Sequence, residues 1–219
     1  MSSRAHVGVL PAEKVLDQCG IFCSHSVLER VEVYLELLEK WKRKINLTGI
    51  KSRHEILVKL FAESFLGAAL LRKEDGPILD VGSGAGFPGM ALKVFRPELG
   101  VYLLEPRKKR GSFLSTVSRE LGLIGVEVIC KRLEDCRPED FPVSPKTLTC
   151  RAVGGLGNRI EQCLGILDDI EKLVLFTSRV RGAQQMQDFS GIDWGEQIEI
   201  PWSQQRVVIC GRRRSYCST

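Results

Sequence analysis

The chain has 219 residues, 43% hydrophobic and 27% charged, with a formal charge of +5. That length and balance suit one globular domain with an extension, and they exclude a low-complexity or fibrous chain. Apolar runs are far shorter than a membrane span, and no charged-then-apolar leader opens the sequence, so a cytoplasmic, non-membrane protein is expected.

Helical spacing comes first. A short helix is expected over 12–19. Val27, Val31, Tyr34, Leu35, Leu38, Trp41 and Ile45 lay an apolar stripe along a helix over 26–45. Ser52 and Glu55 form a capping box that opens another helix, expected to run to about Leu71. After Asp75-Gly76-Pro77 the pattern changes. Strands are predicted over 78–81, 100–104, 126–130, 147–151 and 172–177, with helices near 88–95, 107–121 and 156–168. Such alternation implies a doubly wound, mainly parallel α/β sheet with right-handed crossovers. Segments 195–201 and 205–211 flank Trp202-Ser203-Gln204 and read as a closing antiparallel hairpin. Residues 1–75 are therefore expected to form an N-terminal helical extension and residues 76–219 the sheet domain.

The first predicted strand runs into Asp80 and then Gly82, Gly84 and Gly86. Glycine tolerates positive φ and has no Cβ, so this turn lets the backbone approach a bulky ligand. Pro88 suits a helix start. Glu105 ends the next apolar run, where a carboxylate can accept both hydroxyls of a ribose. Together these make a nucleotide-type cofactor cradle. An acid as close to the turn as Asp80 would repel a diphosphate, which favours S-adenosylmethionine over NAD.

Eight cysteines include no C-x-x-C pair, and only His6, His25 and His54 accompany them. No metal site is expected, and the thiols read as reduced and structural. Cys150 reads as packing, not as a nucleophile. Basic residues gather at Lys40 to Lys44, Lys51 and Arg53, Arg107 to Arg110, Arg179 and Arg181, and Arg212 to Arg214. This distribution favours a nucleic-acid substrate.

The string Ile78 to Gly89 with Arg96-Pro97 resembles the glucose-inhibited division protein B family, also called 16S rRNA methyltransferase G. Lys109-Arg110 with Phe113-Leu114, Glu120 to Leu123, Arg132-Leu133-Glu134, Arg151-Ala152-Val153 and Trp41-x-x-x-Ile45-Asn46-Leu47-Thr48 extend the resemblance over about 30–211. It implies a class I, Rossmann-like methyltransferase fold. The implied reaction moves a methyl group from S-adenosylmethionine to N7 of guanine 527 in 16S rRNA, on naked RNA or on the small ribosomal subunit particle. It also implies cofactor contacts at Gly82 and Phe87, with Gly84 and Gly86 shaping the turn and Glu105 on the ribose. Leu133 and Glu134 would border the adenine, and Arg151 would face the methionine end. The chain departs from the family pattern at Leu60 to Ser64 (Glu63 included), at Cys150 and at Thr177-Ser178-Arg179.

No general base is required for attack by a purine N7 lone pair, so no catalytic residue is assigned, and no oligomer is implied. Glu63 is a candidate for offsetting the positive charge left on the methylated ring. Two other classes stay open: a methyltransferase of another RNA or a small molecule, and a non-catalytic RNA-binding protein.

Overall fold

A computed structural model describes residues 11–151, 160–161, 164–165, 167–189 and 191–214. The predicted helix at 156–168 falls largely outside these residues, as do Ala152, Val153, Cys163, Cys217 and His6.

Helix α1 (Pro11–Gln18) and α2 (His25–Lys42) lead into a continuous helical segment over 53–70. That segment begins as α3 (Arg53–Ile56), widens into a π-helical stretch (Leu57–Ala62) and tightens again as α4 (Glu63–Gly67). Ser52 Oγ accepts the Glu55 N–H at 3.4 Å, the expected N-terminal cap. Strands β1 (Ile78–Val81), β2 (Val101–Leu104), β3 (Val126–Ile129), β4 (Thr147–Arg151) and β5 (Lys172–Ser178) are parallel. Between them run α5 (Gly89–Phe95) and α6 (Lys108–Glu120). Strands β6 (Ile192–Glu199) and β7 (Arg206–Arg213) form the antiparallel hairpin, and the sheet order is β3-β2-β1-β4-β5-β7-β6. Strand β6 starts at Ile192, before the predicted 195, and its pairing with β7 shifts register between Trp194 and Gln197.

One helix went unforeseen: α7 (Arg179–Asp188). Its sequence carries almost no apolar stripe, and Gly182 is its one buried residue. The readable signal was Ser178, whose Oγ accepts the Arg181 N–H at 3.3 Å as an N-cap.

Strand residues alternate between two cores. Ile78, Val101, Leu103, Val174 and Phe176 face a core shared by α1, α2, the 53–70 segment, α5 and α6. Leu79, Val81, Tyr102, Leu148, Leu173 and Leu175 face the opposite core, with Ile160, Leu164 and Phe189. The helices before the sheet therefore cover the same face as α5 and α6. Gly67 is what lets the 53–70 segment lie on the sheet, since a Cβ there would meet the Phe176 ring at 2.4 Å. No helix among the described residues is long and apolar enough to cross a membrane.

Candidate functional site

The strand order reverses at β1, which pairs with β2 on one side and β4 on the other. Crevices form at such switch points, beyond the carboxyl ends of the strands. Four adjacent ends meet there: residues 82–89 after β1, Glu105 after β2, the Leu133–Asp135 turn after β3, and Arg151 closing β4. Their separations total about 15 Å, the scale of a nucleoside with an amino-acid tail.

In the turn, Gly82, Gly84 and Gly86 take φ of 71°, 57° and 88°. Gly84 is the bare position, where an added Cβ would find no atom closer than 3.7 Å. Gly86 and Gly89 are required by internal packing instead. A Cβ on Gly86 would lie 2.0 Å from Tyr34 Oη, and one on Gly89 would lie 2.5 Å from Asp80 Cβ. Only part of the glycine pattern therefore serves an approaching ligand.

Tyr34 of α2 buttresses the turn from beneath, a role its place in an apolar stripe did not reveal. Its hydroxyl donates to the Ala85 carbonyl at 2.7 Å, and its ring stacks on Phe87 at 5.5 Å. Phe61 meets the Phe87 ring edge-on. Phe87 is thus buried in an aromatic cluster, and its N–H donates to the Ser83 carbonyl at 3.2 Å, so its side chain shapes the turn from within.

Asp80 is fully buried beneath the turn. Its Oδ2 accepts the Gly89 N–H at 3.1 Å, tying strand end to helix start, while Oδ1 has no hydrogen-bond partner. Burial pushes its carboxyl up to about 7. Because the folded value lies above the unfolded one, the folded chain holds a proton that the unfolded chain has lost between roughly pH 4 and 7. Stability is expected to fall as pH rises through that window. Asp80→Asn should flatten this slope in urea titrations at successive pH values; an unchanged slope would remove Asp80 as its source.

Glu105 is 3% exposed and held at both oxygens. Oε2 accepts the Gly84 N–H and Oε1 the Arg107 N–H, each at 3.0 Å. An ionised carboxylate has about four acceptor positions, so two remain for hydroxyl donors. Arg110 lies 3.8 Å from Oε2 and donates to the Asn46 carbonyl at 2.9 Å, drawing the loop after α2 towards the turn. Within that loop Leu47 is buried, Thr48 Oγ1 accepts the Ile50 N–H, and Lys42 donates to the Ile50 carbonyl. Arg110 and Lys42, counted among the basic clusters, are therefore tied to the protein itself. Leu133 is a core side chain that can offer only backbone to a ligand, whereas Glu134 is half-exposed, 3.9 Å from Arg132.

Arg151 lies on the other side of the turn. Its Nη2 donates to Glu63 Oε2 at 2.7 Å, and its Nη1 donates to the Lys59 carbonyl in the π-helical stretch. Its guanidinium stands 5.7 Å from the centre of the Phe176 ring. Burial lowers its pKa to about 10, against the opposing pull of Glu63, so it stays charged at neutral pH. Arg206, opening β7, donates to the same Glu63 oxygen at 3.1 Å. Two guanidiniums thus already neutralise Glu63, and it has no free charge with which to offset a cationic base. A cavity of about 370 Å³ adjoins this cluster, lined by Lys59, Glu63, Arg151, Trp202 and Arg206 among others. Cys150 is buried, and burial holds its thiol well above the usual range, in keeping with packing.

Comparison with known proteins agrees with this geometry. Crystal structures of magnesium protoporphyrin IX methyltransferase from Synechocystis PCC 6803, solved with bound S-adenosylmethionine, and of an Aquifex aeolicus S-adenosylmethionine-dependent methyltransferase each superpose with TM-score 0.56. The first is 13% identical, covering 84% of this chain and 97% of that one; the second is 16% identical, covering 74% and 94%. At such identities the likeness establishes the class I methyltransferase fold. Ribosomal RNA small subunit methyltransferase G of Alkaliphilus metalliredigens is 37% identical over 156 residues, and that of Desulfotalea psychrophila 42% over 139. The aligned parts cover 67% and 63% of this chain, and 62% and 63% of those relatives. The chain thus spans somewhat under two thirds of the length of the curated relatives it matches. A family model described as GidB, rRNA small subunit methyltransferase G, matches residues 27–193. The chain belongs to the GidB family of rRNA small subunit methyltransferase G proteins.

Proposed function

We propose that the chain transfers a methyl group from S-adenosylmethionine to N7 of a guanine in 16S rRNA, acting in the cytoplasm on the small ribosomal subunit or its RNA. The observation that carries this reading is the row of four adjacent strand ends: bare glycine backbone, a fixed carboxylate one strand away, and a held guanidinium on the other side. The residues fit the cofactor. Gly84 leaves space where a side chain would stand, and Glu105 keeps acceptor positions for ribose hydroxyls. Gly82, Gly84 and the Phe87 backbone would line the cofactor, with Gly86 and Asp80 holding the turn. Leu133 and Glu134 would border the adenine, and Arg151 would face the methionine end. The cofactor supplies an electrophilic methyl on a sulfonium centre. A purine N7 lone pair needs no base to attack it, so the chain's task is alignment, which can lower a barrier by about 7–11 kcal/mol. In this reading residues 1–75 are a helical extension that supplies Tyr34, the loop after α2 and Glu63 to a cofactor-binding unit over 76–219.

S-Adenosylhomocysteine at about a hundred times its Kd is expected to raise the melting temperature by about 5–10 °C, and NAD to leave it unchanged. A shift with NAD alone would overturn the cofactor assignment. Mapping methylated guanines in 16S rRNA from cells with and without the protein tests the substrate; an identical map would overturn it.

A further inference from the structure

Several cations around the candidate site are engaged. Arg151 and Arg206 share Glu63, and Arg53 pairs with Glu32. One group differs. Lys44, Arg107, Lys108 and Lys109 are exposed and make no ion pair among the described residues. They line one groove of about 410 Å³ with Ile45, Asn46 and Arg110. Lys44 also lines a second groove, of about 380 Å³ between α2 and α6, with Lys40, Trp41 and the Arg119–Glu120 ion pair. Lys44 borders both grooves.

Fold stability does not account for this arrangement. Lys108, Lys109 and Arg110 form the first turn of α6, which contains no acid and has no side-chain cap. Cations at the positive end of a helix dipole are unfavourable, and a neighbouring anion relieves that cost. The inner end of the groove lies at the cofactor cradle. Its wall, Arg110, stands beside both Gly84 and Glu105.

We propose that the two grooves form one track for the phosphate backbone of an RNA strand, running from between α2 and α6 to the mouth of the cradle. Lys44, Lys108 and Lys109 are its phosphate contacts. Arg110 marks where the backbone ends and the reacting base begins. The identity of the polyanion as RNA rests on the reading of the substrate given above; the charge track itself rests on the grooves. Contacts of this kind position a strand without reading its sequence.

The test uses the full chain and a fluorescein-labelled single-stranded RNA of about twenty nucleotides, titrated at several salt concentrations. One triple variant carries Lys44→Gln, Lys108→Gln and Lys109→Gln. A control triple carries Lys14→Gln, Lys73→Gln and Lys146→Gln, three exposed lysines of which the last two precede β1 and β4, at the opposite end of the sheet. Both triples lose the same charge. Each lost phosphate contact on a single strand removes about 0.7 from the slope of log affinity against log salt, so the track triple should lose about two units and the control almost none. Equal losses in the two triples, or no binding by the unaltered chain at low salt, would overturn the track. S-Adenosylmethionine calorimetry on the same samples keeps the two readings apart. The track triple should bind cofactor like the unaltered chain, and an unaltered chain that binds RNA but no cofactor would refute the methyltransferase reading while leaving the track standing.

Discussion

Glu63→Gln is expected to destabilise the fold by about 3–5 kcal/mol, the cost of removing one member of a buried ionic cluster. The native carboxylate is 3% exposed at its side chain and is shared by Arg151 and Arg206, which are 13% and 24% exposed. Glutamine keeps the shape and one acceptor but removes the charge, leaving two guanidiniums facing each other with little water to screen them. Arg206→Leu should cost much less, because Glu63 and Arg151 remain a balanced pair. Combining the two substitutions should recover part of the Glu63→Gln loss, a coupling that a double-mutant cycle measures directly. Urea unfolding at pH 7 provides all four values, with equal m-values required for the comparison. A Glu63→Gln chain within about half a kcal/mol of the native one would mean that the cluster is better solvated than its burial implies.

This cluster also marks the limit of what the sequence made legible. The strands, the glycine turn, the carboxylate after β2 and the hairpin are all local patterns: period two, period 3.6, and turn residues at fixed offsets. Asp80 and Gly89 are nine residues apart, and their hydrogen bond lies within one strand–turn–helix unit. The contacts that complete the site are of another kind. Tyr34 reaches Ala85 across 51 residues, Arg110 reaches Asn46 across 64, Arg151 reaches Glu63 across 88, and Arg206 reaches Glu63 across 143. No periodicity records such pairings; the packing of α2, the 53–70 segment and β7 against the strand ends creates them. That is why Glu63 read as a spare carboxylate and Arg110 as one more surface cation. The π-helical stretch belongs to the same category. It turns the Lys59 carbonyl towards Arg151, and nothing in the residues Leu57–Ala62 distinguishes it from ordinary helix. Helix α7 was missed for the converse reason: packed against Thr177, Val207 and Ile209 through a glycine, it needs no apolar stripe.

Arg151→Ala is expected to lower the rate of methyl transfer by about a hundredfold or more while changing RNA affinity by less than about threefold. Three features separate this residue from the phosphate track. It closes β4 at the switch point, next to the turn that would hold the cofactor. Glu63, the Lys59 carbonyl and the Phe176 ring already fix its guanidinium, leaving little of it exposed to meet a backbone phosphate. In the proposed reading, a rigid cation so placed would serve alignment at the reacting end, where displacement by an ångström is costly. Its removal leaves Glu63 paired with Arg206, so the variant is expected to lose less stability than Glu63→Gln, and rates are compared on folded protein. Lys108→Gln with Lys109→Gln should show the opposite profile: a lower salt slope and higher KM, with kcat almost unchanged at saturating RNA. Measuring kcat, KM and RNA affinity for both variants at two salt concentrations distinguishes the roles. Proportional losses of rate and affinity in both variants would mean that one surface serves both purposes, and Arg151 would then have to be assigned to the track.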